Sequence, residues 1–363
     1  MSKFTELKKY YNRKRVLVTG HTGFKGSWLS LMLKMLGAEV YGYALEPPTE
    51  PSLFSILGLE KEMTSEIGDI RDFQHLSSFF EKVKPQVVLH LAAQPIVRTS
   101  YEIPRETYEI NVMGTVNILE CVRKSREYGD DRVKTFLNVT TDKVYENSDL
   151  MDHPFKEEEK LDGYDPYSNS KSCSELVTHS YTKSFFSGED SVTPISTARA
   201  GNVIGGGDFA RDRIIPDCVR DTVSGKSIHV RNPYSTRPYQ HVLEPLYVYL
   251  LIAMRQAEDP EVSDCYNVGP DESDAITTGD LADKFVASWG EGAKWHTEAE
   301  ADAPHEASFL MLDTGKIKKA LGWTPVWHVD EAVRETVKWY RAWNDKEDML
   351  KYTEEQIKDF LAD

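Results

Sequence analysis

From residue 15 onward, short β-rich runs alternate with stretches of helical spacing, and no other feature limits the possible folds as tightly. RVLVTG (15–20) leads into SWLSLMLKMLGA (27–38), which stops on Gly37 as a helix C-terminus does. AEVYGYAL (38–45) reads as a strand, DFQHLSSFFEKVKP (72–85) as a helix, QVVLHLAA (86–93) as a strand and TYEINVMGTVNILECVRKSRE (107–127) as a long helix. VKTFLNVTTDKVYE (133–146) is a strand running into a loop. PYSNSKSCSELVTHSYTKSFF (166–186) is a helix with Asp165 as its cap and Pro166 in its first turn, and TPISTARAGNVIG (193–205) is another strand. Strands separated by helices pair in parallel and carry helices on both faces. Their continuous Val/Leu/Ile character fits burial on both sides.

After residue 200 the rhythm breaks. GNVIGGGDFARDRIIP (201–216) is loop-like, short strands (SIHVRN, RPYQHV) follow, and WHVDEAVRETVKWYRAWNDKEDMLKYTEEQIKDFLAD closes the chain as an amphipathic helical tail. This predicts an α/β protein in two parts. Residues 1–198, with a return segment near 239–270 around LEPLYVYLLIAM, form a doubly wound parallel sheet. Residues 199–363 form most of a smaller, mixed α/β substrate domain. No internal repeat is visible, and 363 residues suffice for both cores.

The glycines of VTGHTGFKGSW lie between the first strand and the first helix. Gly20, Gly23 and Gly26 follow a GxxGxxG spacing, which alone signals no more than a tight turn. In a strand–turn–helix context it becomes an anion site, because backbone N–H groups and the helix dipole face the incoming charge. A dinucleotide on a Rossmann-like sheet is the expectation. The acid that usually ends the second strand is missing; Glu46 lies just beyond Ala44 and Leu45. YGYALEPPTEPS also lacks any Lys or Arg to meet a 2′-phosphate, so NAD is favoured over NADP. Asp69 is placed to reach the adenine.

Charge narrows the partners. Lys plus Arg number 43 and Asp plus Glu 59, a net −16, which disfavours nucleic acid or an anionic membrane as partner. An anionic small molecule held by local arginines remains compatible. No apolar stretch is long enough to span a bilayer, the N-terminus has no signal-peptide core, and Cys121, Cys173, Cys218 and Cys265 show no paired or metal-ligand spacing. A cytoplasmic protein without structural zinc is expected. Asn138-Val-Thr140 matches a glycosylation acceptor but falls inside a strand pattern.

Tyr167 and Lys171 are four apart on a predicted helix and so share a face. An ammonium near a phenol lowers its pKa and makes the phenolate a usable base. Tyr10 and Lys14 have the same spacing but precede the first strand. VTTDKVYEN ends a strand, where open α/β sheets place ligands. Thr141 offers a hydroxyl there, Asp142 a proton donor and Lys143 a proton acceptor.

The ordered set TGHTGFKG, Asp69-Ile70, HLAA, Asn111-Val-Met-Gly114, Thr141, Tyr167-x-x-x-Lys171 and RAGNVIG resembles the extended short-chain dehydrogenase/reductase family over nearly the whole chain. Within it, GHTGFKGSWLS, PPTEPSLF, AAQPIVRTSY, TTDKVYEN, RAGNVIGGGDFARDRIIPD and RPYQHVLEPL are similar to the CDP-glucose 4,6-dehydratase subfamily. The resemblance implies a hydro-lyase of deoxysugar biosynthesis that acts on CDP-glucose. NAD would be reduced and reoxidised within each turnover, lying against Gly20, His21, Gly23, Phe24, Lys25, Gly26, Asp69, Ile70, Leu91, Ala92, Ala93, Asn111, Tyr167 and Lys171. Lys25 replaces a bulky apolar residue often found at its position; contact with a phosphate and exposure to water both remain open. Tyr167 would take the C4 hydroxyl proton, with Lys171 holding it acidic and Thr141 bonding the C4 oxygen. Asp142 would protonate the departing C6 hydroxyl. Lys143 stands where related dehydratases carry a glutamate that removes the C5 proton, and Tyr145 is a second candidate for that base. Gln94, Thr141, Asn202, Arg213, Arg231, Arg237 and His305 would bind the substrate, and the Asn111 and Tyr167 helices would pair in a homodimer. Three alternatives stand beside this reading: an NAD-dependent 4-epimerase, a 4,6-dehydratase acting on another nucleotide, and a fold-retaining binding protein without catalysis. The Asp142–Lys143 pair separates dehydration from epimerisation.

Overall fold

A computed structural model describes residues 2–147, 153–188, 193–297 and 310–362. Seven strands form one sheet: β1 (Arg15–Thr19), β2 (Glu39–Ala44), β3 (Thr64–Ile67), β4 (Val87–His90), β5 (Thr135–Val139), β6 (Ile195–Ala200) and β7 (Cys265–Val268). Their order is β7-β6-β5-β4-β1-β2-β3, every pairing parallel. The inner strands are buried on both faces, as their unbroken apolar runs require, whereas the edge strand β3 (TSEI) is partly exposed. Val16, Val18, Leu89 and Leu137 enter the core on one side, while Leu17, Val88 and Phe136 enter the core on the other. The sheet is the doubly wound type expected from the alternation, and β7 joins it from beyond residue 260.

The helices that matter here are α1 (Lys3–Tyr11), α2 (Phe24–Met35), α3 (Phe73–Val83), α4 (Gly114–Lys124), α5 (Pro166–Tyr181), α6 (Ile214–Val223), α7 (Leu243–Glu258), α8 (Thr278–Trp289), α9 (Val329–Asn344) and α10 (Met349–Phe360). Local signals set their ends. Asp72 accepts from the His75 N–H to start α3, and Asp165 accepts from the Ser168 N–H to start α5 ahead of Pro166. Gly37, at φ +83°, ends α2. α2 is apolar nearly all round because it lies between the sheet, α7 and α10, with Trp28 donating to the Gly206 carbonyl at 2.9 Å. The closing tail is helical as expected and forms two helices: the chain turns between α9 and α10, with Lys346 at φ +60°.

Strand order reverses between β1 and β4, and the crevice above that switch point is where such sheets bind ligands. Short two-residue and three-residue strands roof it: Val203–Ile204 with Gln240–His241, Thr236–Pro238 with Ala275–Thr277, Ile228–His229 with Trp295–His296, and Pro154–Phe155 with Met311–Leu312.

Candidate active site

A cavity of about 1530 Å³ runs from the β1–α2 turn, across the ends of β4, β5 and β6, to the loops around residues 208–237. A pocket for one small ligand occupies about 300–1,000 Å³, so two ligands fit end to end.

The glycine turn forms one end. Gly20 sits at φ +78°, and a Cβ there would lie 2.8 Å from the Ala92 nitrogen. A Cβ at Gly26 would lie 2.1 Å from the Gly20 carbonyl oxygen, so this glycine lets α2 close onto β1. Gly23 differs. Its Cβ would meet only the Gly20 oxygen at 3.4 Å, and it faces the cavity. Gly23 caps α2 without a side-chain hydrogen bond, and no acid occupies the first turn. The N–H groups of that turn, which a helix leaves without internal partners, are thus open to an anion. Phe24, Asp69, Ile70, Leu91, Ala92 and Ala93 line the same end. The Asp69 carboxylate is held by the Arg71 guanidinium (Nη2–Oδ2 2.6 Å), which keeps it below the usual carboxylate range.

Lys25 turns inward. Its ammonium lies 6.0 Å from the centre of the Tyr249 ring. Burial, with Arg213, Lys171 and Lys143 nearby, pulls it down to about 7, and Asp142 opposes this. Of the two positions left open by the sequence, the structure gives the interior one.

The end of β5 carries the chemistry-bearing side chains. Beyond Val139 the chain makes a short 3₁₀ turn over Asp142–Val144, with Thr141 as its cap. The Thr141 hydroxyl donates to Asp142 Oδ1 at 3.0 Å and is hydrogen-bonded to Tyr167. Lys143 Nζ donates to the same Oδ1 at 3.0 Å and lies 3.5 Å from Asn202 Oδ1. Asp142 is fully buried, and its Oδ2 has no partner among the described residues.

Tyr167 and Lys171 share the inner face of α5 and both line the cavity. Lys171 Nζ donates to the Val139 carbonyl at 3.0 Å, because a buried ammonium needs an acceptor and the end of β5 supplies one. Burial pulls Lys171 down to about 8, with the Glu175 carboxylate pulling back up. Burial pushes Tyr167 up to about 12, and the groups that pull it back down are the Thr141 hydroxyl and the Arg213 cation.

Behind these residues lies a buried polar network that the sequence reading missed. Arg199 pairs with Glu175 (3.0 Å) and donates to the Tyr145 hydroxyl (2.9 Å); Thr197 donates to Glu175 at 2.7 Å, and Thr140 also donates to Glu175. The Tyr145 hydroxyl donates to Asn267 at 2.6 Å. Tyr145 lines the cavity with its hydroxyl engaged on both sides, and burial raises its pKa. The sequence signal for the network was Glu175, one helical turn beyond Lys171 on the same face.

Three arginines reach the far end of the cavity along with Asn202. Arg213 pairs with Asp208 at 2.8 Å, Arg231 with Asp212 at 2.5 Å, and Arg237 donates to the Thr236 carbonyl at 2.9 Å. His21, Gln94 and Asn111, by contrast, stand behind the wall. His21 is buried against Phe54, with Nε2 2.7 Å from Ser65 Oγ. Asn111 accepts from the Gln94 N–H at 2.9 Å and donates to Ser170 Oγ at 2.8 Å, tying the loop after β4 to α5. The Gln94 side chain folds back onto Thr107 and the Ile96 N–H. These side chains shape the cavity from outside it. His305 lies outside the described residues. Among the described residues, no His, Cys, Asp and Glu grouping fits a metal ion.

Comparison with known proteins agrees with this layout. Residues 17–336 match the model of the GDP-mannose 4,6 dehydratase family. The chain is 48% identical over 359 residues to the CDP-glucose 4,6-dehydratase of Salmonella typhimurium, covering 98% of each protein. Its fold superposes on a dTDP-glucose 4,6-dehydratase of Bacillus anthracis, solved in complex with NAD, with a TM-score of 0.74 at 22% identity (92% of this chain, 99% of that one). It also superposes on a UDP-glucose 4-epimerase of Thermotoga maritima, solved with UDP-glucose, with a TM-score of 0.76 at 22% identity (90% and 98%). With the family model spanning most of its length and a near-half-identical relative along all but a few residues, this chain belongs to the GDP-mannose 4,6 dehydratase family of nucleotide-sugar dehydratases.

Proposed function

We propose that this chain is an NAD-dependent hydro-lyase converting CDP-D-glucose to CDP-4-dehydro-6-deoxy-D-glucose and water. The observation that carries the reading is the Asp142–Lys143 pair placed beside the Thr141–Tyr167 pair in one cavity. Oxidation at C4 needs only the second pair; eliminating water across C5 and C6 needs an acid and a base as well. The choice of CDP-glucose rests on the 48% relative.

The residues present fit a dinucleotide: an uncapped helix N-terminus, a glycine open to the cavity, and room for two ligands. Residues 1–198 and the return segment near 239–270 are assigned to the cofactor, and most of 199–363 to the sugar nucleotide. When bound, NAD supplies a reversible hydride acceptor next to the sugar. Tyr167 takes the proton of the C4 hydroxyl, with Thr141 passing hydrogen bonds between the phenol and Asp142. The new C4 ketone acidifies the C5 proton. With the shared proton of the pair on the Asp142 carboxyl, the neutral Lys143 amine receives the C5 proton, and Asp142 gives its own to the C6 hydroxyl, which leaves as water. A hydride at C6 completes a methyl group and a proton at C5 restores the saturated carbon; the hydride equals the one lost from C4, so no net oxidation remains. Arg213, Arg231 and Arg237, with Asn202, bind the diphosphate and sugar, since guanidinium forks match phosphate oxygens.

Half-exposed apolar side chains on and beside α4 and α5, Met113 and Leu176 among them, support a homodimer through these helices. Four unpaired cysteines support a cytoplasmic setting, and no described helix is long and apolar enough to cross a membrane.

Incubation with CDP-, dTDP-, UDP- and GDP-hexoses tests the reading. CDP-glucose should give the 4-keto product without net NADH. A C4 epimer, or NADH formed in proportion to product, would overturn it.

A further inference from the structure

We propose that Gly201 is a positioning residue for the acid, and that its missing side chain is the space in which Asp142 Oδ2 lies. The inference rests on the dehydratase reading and extends it to a residue outside the reacting set.

The placement follows from strand register. In the parallel pairing of β5 with β6, Val139 lies opposite Ala198. Three residues further along each strand stand Asp142 and Gly201, and four residues further Lys143 and Asn202. The second correspondence is visible in the 3.5 Å approach of Lys143 Nζ to Asn202 Oδ1. The first is visible at Gly201. A Cβ built there would lie 2.8 Å from Asp142 Oδ2 and 3.4 Å from its Cγ, while the next atom, Pro238 Cγ, is at an ordinary 3.6 Å.

Backbone conformation does not demand this glycine. Gly201 is absent from the positions with positive φ, so alanine is conformationally free there. What excludes a side chain is the catalytic carboxylate itself. That carboxylate cannot easily yield. Oδ1 is fixed by Thr141 and Lys143, each at 3.0 Å, and the residue is fully buried. A methyl group at 201 must push Oδ2 by a few tenths of an ångström or rotate the carboxylate about its Oδ1 contacts. Either movement shifts a buried oxygen that has no partner among the described residues and, with it, the Oδ1 contacts that set how the carboxyl meets the C6 hydroxyl. Tyr167 and Lys171 stand on a separate element, α5, and neither is among the atoms that a Cβ at 201 would meet.

The expected signature of Gly201→Ala is selective. Misplacement of a reacting group by a fraction of an ångström to one ångström costs up to about 10²-fold, so elimination should slow by roughly 10- to 100-fold. Oxidation at C4 and the affinity for NAD should stay near wild type, and reduced cofactor should accumulate on the protein during a single turnover with CDP-glucose. A general packing defect would instead lower both steps together. A double-mutant cycle removes the remaining ambiguity. In an Asp142→Ala background the obstructing atoms are gone, so Gly201→Ala should change neither the residual rate nor the melting temperature. Elimination at the wild-type rate in Gly201→Ala overturns the inference, as does an undiminished effect of Gly201→Ala in the Asp142→Ala background. Failure of the parent reading looks different: wild-type protein would then form no 4-keto sugar from any nucleotide hexose.

Discussion

Lys143 Nζ and Asp142 Oδ1 stand 3.0 Å apart, so one carboxylate oxygen is committed to the lysine while the other, Oδ2, has no partner among the described residues. Asp142 thereby anchors its neighbour from a fully buried position.

Asp142→Asn keeps the shape and the Oδ1 contacts but cannot deliver a proton. General acid–base groups contribute about 10²–10⁴-fold, and elimination should fall by that order while C4 oxidation persists. Stopped-flow absorbance of the nicotinamide in a single turnover reads the result, with reduced cofactor accumulating. Wild-type elimination would assign the acid elsewhere.

Lys143→Met retains the stem and removes the amine. If Lys143 takes the C5 proton, wash-in of solvent deuterium at C5 should drop sharply, as followed by NMR of the sugar. Exchange at the wild-type rate would reduce Lys143 to the partner of Asp142.

Tyr167 is pushed up to about 12 by burial, and the Thr141 hydrogen bond is the first influence pulling it down. Thr141→Val removes that influence. The phenolate then forms at higher pH, so the alkaline-rising limb of C4 oxidation should move upward in pH, with a rate loss near neutrality. An unmoved limb would mean that the phenol's ionisation does not govern the step. Tyr167→Phe should remove most turnover while leaving cofactor binding intact.

Gly23 and Gly26 separate fold from cofactor. A Cβ at Gly26 would press into the Gly20 carbonyl, so Gly26→Ala should destabilise the protein by several kcal/mol through overpacking. Gly23→Ala meets nothing closer than 3.4 Å and should melt like wild type, yet bind NAD more weakly because its methyl enters the cavity. Calorimetric titration with NAD, alongside thermal melts, checks both. Unchanged affinity in Gly23→Ala would move the pyrophosphate away from this turn.

Three histidines are buried neutral: burial pulls His21 down to about 4 and His90 and His241 down to about 3. An unfolded histidine titrates near 6.5, so below that pH the unfolded chain binds protons that the folded chain refuses. Stability present above about pH 6.5 is therefore lost as pH falls toward 4, at up to about 1.4 kcal/mol per pH unit per histidine. His241 packs edge-on between Trp28 and Trp327 and accepts from the Leu243 N–H, so His241→Gln removes the titrating ring while keeping a polar side chain and should flatten the slope by one histidine's share. Urea unfolding at pH 7 and pH 5 measures it. An identical slope in the variant would contradict this origin of acid lability.

The inner strands of the sheet were legible because they are covered on both sides and so read as apolar runs; the half-exposed edge strand β3 (TSEI) carries no such run. Tyr167, Thr141 and Asp142 were legible because helical spacing and strand ends fix where they point. Contacts set by tertiary structure were not. Tyr145 looked like a free phenol, but its hydroxyl is held by Asn267, 122 residues away, and by Arg199. Gly201 read as one more loop glycine, since its reason for being glycine lies on the neighbouring strand. Lys25 could not be turned inward without knowing that Tyr249 lies beneath it.

The measurement that bears most directly on the central claim uses CDP-glucose deuterated at C4. Oxidation at C4, elimination across C5 and C6, and return of the stored hydride to C6 require the label to end in the C6 methyl group of the 4-keto product, within the same molecule. NMR and mass spectrometry of the product should find one deuterium at C6 and none at C4. Deuterium retained at C4, or released into reduced cofactor in proportion to product, would contradict the account.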